Sequence, residues 1–73
     1  MIKYYLNLNA QSNGDHEVHK ETCYYYYEYK NQYNFELLGA FSNDIEAVNY
    51  ARFKHPNFRI DGCAYCCPNA HRH

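Results

Sequence analysis

Neither sign of charge dominates this chain. Seven Lys and Arg against eight Asp and Glu leave a formal charge of -1 and a pI near 6.5. Backbone-phosphate binding depends on accumulated Lys and Arg, so no global attraction to polyanions is expected and nucleic acid is not the default partner. Long apolar runs are missing too. The opening Met1-Ile2-Lys3-Tyr4-Tyr5-Leu6-Asn7 has no basic region followed by a signal-peptide core, and nothing reaches membrane-spanning length. A soluble, cytoplasmic chain with no membrane contact is the expectation. Glycine is sparse, and Gly14, Gly39 and Gly62 stand at scattered turns without the spacing of a nucleotide-binding loop. No catalytic triad appears, and Glu17, Glu21, Glu28 and Glu36 form no identifiable acid/base pair. With neither repeat nor linker, residues 1–73 read as one small, non-enzymatic domain.

Seventy-three residues make a core that rarely supplies more than roughly 3 to 5 kcal/mol without extra fastening. Four cysteines are present, and in a reducing cytoplasm they point to metal or redox chemistry ahead of a disulfide framework. Their placement is informative: His19-x-x-x-Cys23 and Cys63-x-x-Cys66 form two ligand pairs far apart in the chain. A tetrahedral zinc ion takes such a set of three thiolates and one imidazole, at about 2.3 Å per Zn–S bond, and a shell closed by four protein ligands leaves no position for a catalytic water. Suspected Zn²⁺ on His19, Cys23, Cys63 and Cys66 would therefore staple the domain. Asp61-Gly62 before the CxxC and Pro68 after it suggest a knuckle turn instead of the helix that carries redox CxxC motifs.

The fold class expected is α+β, a small antiparallel sheet packed against one helix. Ile2, Tyr4, Leu6 and Leu8 alternate with more polar neighbours, the period of a strand with one buried face. Asn13-Gly14-Asp15 predicts a turn into a second short strand through Val18. Cys23 to Tyr29 is rich in strand formers yet lacks alternation, which leaves its conformation open. Lys30 to Asn34 reads as a polar connection, and Phe35 to Phe41 as a strand in which Gly39 permits a bulge. Asn43 with Glu46 three residues later is a capping-box pattern; Ala47, Val48 and Ala51 share a face, and Pro56 ends the helix near Lys54. Phe58-Arg59-Ile60 is a short extended piece, and Asp61-Gly62 is expected to turn the chain into Cys63.

The residues Asn13-Gly14-Asp15-His16-Glu17-Val18-His19, Cys23, Leu38-Gly39, Phe41-Ser42, Ala47-Val48 and Asp61-Gly62-Cys63 resemble small, uncharacterised bacterial proteins over nearly the whole chain. That resemblance implies a compact α+β domain and no particular activity. From the second strand to Cys66 the chain is also distantly similar to the zinc domain of Ada-type alkyl-transfer repair proteins and to modules appended to some nucleases. This likeness implies zinc-cysteine positions at Cys23, Cys63 and Cys66. His19 falls where the repair proteins carry their methyl-accepting cysteine, and imidazole cannot replace that activated thiolate, so alkyl transfer is not expected.

Other residues take plainer readings. His16, three steps from His19 on a strand, points to the opposite face and is not a co-ligand. Cys67 reads as packing or a spare thiol, with a substitute-ligand role alongside His71 as the other option, and His71-Arg72-His73 as a tail. The ten tyrosines suggest cross-strand packing more than base stacking. Three functions follow for test: a structural zinc domain recognising a macromolecular partner, a thiol redox or soft-metal delivery protein using Cys63, Cys66 and Cys67, and a nucleic-acid-binding module.

Overall fold

The structure, a computed structural model, describes residues 1–72. Its sheet is built outward from β1 (Ile2–Asn7), which pairs antiparallel with β2 (Asp15–Lys20) on one side and with β3 (Phe35–Phe41) on the other. The register sets Leu6 opposite Val18 and Tyr5 opposite His19. Because side chains alternate along a strand, Tyr4, Leu6 and Val18 go to the core face while Tyr5, Glu17 and His19 go to the other. β2 runs two residues beyond Val18, placing His19 inside the strand.

Gly39 sits where β1 and β3 slip register: Tyr4 faces Gly39 and Tyr5 faces Leu37, so Leu38 is the extra residue of a bulge. Gly39 takes φ of 129°, which a side chain would resist, and Leu38 turns into the core with 6% exposure. The expected irregularity at Gly39 thus gives the edge strand an additional core residue.

The long helix α2 (Asp44–Lys54) begins as the capping pattern requires. Asn43 Oδ1 accepts from Glu46 N at 2.9 Å, and Glu46 Oε1 reaches back to accept from Ser42 N at 3.1 Å. Ala47, Val48 and Ala51 are buried against Tyr4, Leu6, Val18, Leu38, Ile60 and Cys67. Burying side chains such as Leu6 and Val48 contributes about 1.5–3 kcal/mol each. Asp44 is also buried, because Tyr4 Oη donates to its carboxylate at 2.8 Å. Burial first, and then this acceptor, push the Tyr4 phenol far above its ordinary pKa.

The last strand, β4 (Arg59–Gly62), lies parallel to β2, giving the order β3-β1-β2-β4. The sheet is therefore mixed: two pairings are antiparallel as expected, and the third is not. The reason is α2, which carries the chain back across the sheet so that β4 runs in the direction of β3 and hence of β2. Asp61 and Gly62 end this strand instead of forming the expected turn. Gly62 is needed for close approach, since a Cβ there would lie 3.0 Å from both Ala70 Cβ and the Cys67 carbonyl oxygen.

Residues Tyr24–Tyr29 form a short helix, α1. Six residues cannot sustain a helix by propensity alone. Tertiary stacking supplies the difference: the Tyr26 ring lies 4.3 Å from that of Tyr5, nearly parallel, and 5.1 Å edge-on from Phe35. Among the described residues, tyrosine rings thus pack helix against sheet more often than strand against strand, where Tyr4 meets Phe41.

Candidate metal centre

Two chain segments reach one point through the parallel pairing of β4 with β2. Val18 is opposite Gly62, so His19, next in β2, and Cys63, which follows β4, become neighbours; Cys63 N donates to Val18 O at 3.0 Å. An antiparallel β4 would have sent Cys63 to the far end of β2. The other two residues are supplied by tight turns. Cys23 follows a turn in which its N–H donates to Lys20 O at 3.0 Å, and it caps α1 in extended conformation. Cys66 completes the turn closed by Cys67 N donating to Cys63 O at 2.8 Å.

The ligand atoms of His19, Cys23, Cys63 and Cys66 all lie within 4.8 Å of one another. Around a tetrahedral zinc, bond lengths near 2.0–2.3 Å put sulfur and nitrogen about 3.6 Å apart and two sulfurs about 3.8 Å apart. His19 Nδ1 and Cys23 Sγ are separated by 3.5 Å. Three of the four residues are buried, and Cys66 is partly so. The cluster is thus compatible with a metal ion, with all four sequence-predicted residues brought together.

Surrounding groups complete the site. His19 Nε2 lies 3.4 Å from Glu17 Oε1, so the imidazole offers Nδ1 to the cluster while its other nitrogen meets a carboxylate, the arrangement that orients metal-binding histidines. Lys20 N donates to Cys66 Sγ at 3.3 Å. Glu17 was not legible as a partner; its signal was the two-residue spacing from His19, which puts both on one strand face. Burial raises its carboxyl pKa, opposed by a hydrogen bond from Gln11.

Without a cation the Cys63 and Cys66 thiols are held neutral. The hydrogen bond with Cys66, followed by burial, pushes Cys63 up to about 12. For Cys66 the largest influence, the bond with Cys63, lowers the pKa, but the Cys67 contact and burial together raise it well above the thiol range. Reactive redox cysteines need the reverse shift, whereas a bound divalent ion deprotonates coordinating thiols outright.

The remaining candidates lie elsewhere. Cys67 is fully buried in the core, its sulfur 3.6 Å from that of Cys66. His16 stacks on Phe58 at 4.0 Å, and its Nδ1 is 3.1 Å from Asn7 O, on the sheet face away from His19. His71 Nδ1 meets Asp61 Oδ2 at 3.1 Å and Gly62 O at 3.0 Å. His73 lies outside the described residues. Among those described, no helix is long and apolar enough to cross a membrane. In comparisons with family models, curated proteins and solved structures, the chain finds no match.

Proposed function

We propose that this chain is a non-enzymatic structural zinc domain, in which one Zn²⁺ on His19, Cys23, Cys63 and Cys66 closes the fold and holds a surface that recognises another molecule. The observation that carries this reading is the convergence of those four ligand atoms within 4.8 Å. Structural zinc contributes about 10–16 kcal/mol of apparent binding energy in finger peptides, well above the roughly 3 to 5 kcal/mol expected of so small a core. The donor set of three sulfurs and one nitrogen suits Zn²⁺ over harder ions, and four protein ligands leave no open coordination position for chemistry. The burial of His19, Cys23 and Cys63 favours this reading over thiol redox, whose reactive cysteines sit in partly exposed surroundings.

Cobalt substitution tests it. Purified chain reloaded with Co²⁺ is expected to show intense thiolate-to-cobalt charge transfer and the visible bands of a tetrahedral site, at one ion per chain. Absence of those bands, together with melting unchanged by a chelator, overturns the assignment. Rapid alkylation of two thiols with a reversible oxidised form would instead establish redox use.

A further inference from the structure

Beside the metal centre, on the sheet face not covered by α2, lies a cleft of about 260 Å³. Its walls come from three places. Tyr25 and Tyr29, four residues apart on α1, project on one side of that helix. Tyr33 follows in the connection, and Phe35 opens β3; all four aromatic residues line the cleft. Tyr29 and Tyr33 stand side by side with centroids 5.5 Å apart, and Tyr25 is braced by Tyr65 at 4.9 Å. Glu17 and His19 form the floor.

The lining contains no Lys or Arg, and Glu17 is its acidic residue. An anion would meet a carboxylate and no counter-charge, while a neutral apolar ligand would desolvate that carboxylate without compensation. Asn7 and Asn9 also line the cleft, but their side-chain oxygens are engaged, accepting from Asn9 N and Asn34 N at 2.9 Å each. Gln11 lines the cleft as well, and the four aromatic residues are what distinguish its lining. Aromatic faces with a nearby negative charge, and little need for hydrogen bonds, are what a fully methylated ammonium requires. With zinc bound as proposed above, three thiolates outweigh the divalent ion and add a further negative charge near the floor.

We infer that this cleft binds a quaternary alkylammonium group, held by cation–π contact with Tyr25, Tyr29, Tyr33 and Phe35 and by the charge of Glu17. The inference stands on the lining residues and does not require the ion.

The test uses the full chain as purified, its metal content measured on the same sample, and follows backbone amide shifts by NMR during titration with choline and with 3,3-dimethyl-1-butanol, its uncharged isostere. Choline is expected to shift the amides of residues 25–35 and to bind about tenfold more tightly than the isostere. Tyr33→Leu and Tyr29→Leu, each checked for folding by melting, are expected to weaken choline severalfold. Glu17→Gln, held at saturating zinc, is expected to weaken choline and leave the isostere unchanged. Equal binding of choline and isostere, no shifts at these residues, or preferential binding of a nucleoside such as uridine would overturn the proposal. Choline binding to a chain that takes up no metal on reloading would sink the zinc reading and leave the cleft standing; metal without choline binding would do the opposite.

Discussion

Cys66→Ser separates a metal ligand from a packing thiol more cleanly than any other substitution in the cluster, because Cys66 is the one ligand that is only partly buried. As packing alone, exchange of sulfur for oxygen at a partly exposed position costs about 1 kcal/mol, the centre of the distribution for point substitutions. As one of four ligands, it removes on the order of a quarter of the zinc contribution, roughly 3 kcal/mol. A domain of this size shifts by about 4–8 °C per kcal/mol, so the two cases, about 2 kcal/mol apart, differ by roughly 8–16 °C. The assay is thermal melting of the wild type and variant, each with zinc and after chelation. The wild type is expected to melt well above the variant with zinc present, and most of that gap is expected to vanish after chelation. Cys67→Ala is the control: it loses core packing, but its response to chelator is expected to match the wild type. A Cys66→Ser variant within a few degrees of wild type, with neither chain responding to chelator, would refute the reasoning.

Glu17→Gln is expected to weaken zinc about 10- to 100-fold, as loss of an outer-shell partner does, measured by competition with a chromophoric chelator; unchanged affinity would show that the 3.4 Å contact with His19 does not orient the ligand. Tyr4→Phe leaves buried Asp44 without its 2.8 Å donor and is expected to cost about 1–3 kcal/mol in denaturant unfolding, with the zinc response retained. At Glu36 the Lys54 ammonium, bonded at 2.8 Å, lowers the carboxyl pKa against an opposing effect of burial, and His55 adds to the lowering. A depressed carboxyl pKa stabilises above its unfolded value and loses that contribution as pH falls through the folded one. The wild type is therefore expected to outlast Glu36→Gln in melting near neutral pH, with the gap closing below the ordinary Glu pKa of about 4.3; a gap independent of pH would count against the ion pair.

Much of this architecture is legible from local chemistry. The capping residues Asn43 and Glu46 mark the start of α2, and Ala47, Val48 and Ala51 are its buried face. Alternation in β1 identifies Tyr4 and Leu6 as core, although Ile2 and Leu8, at either end of that pattern, stay over a third exposed. Tyr24–Tyr29 was not legible as α1, because its helical state depends on stacking against Tyr5 and Phe35, residues distant in sequence. Asp61-Gly62 has turn composition, yet pairing with Glu17 and Val18 draws it into β4. The tyrosine cleft went unread for the same reason: its rings come from α1, the connection after it and β3, and only packing sets them around Glu17.

The amino-acid sequence by itself determined the ligand types and their short spacings, since a three-residue or two-residue gap between donors is a property of a single turn. Tertiary structure alone decided that the two pairs meet. That depends on α2 crossing the sheet and returning the chain parallel to β2, and no local pattern specifies the direction in which a returning strand will pair.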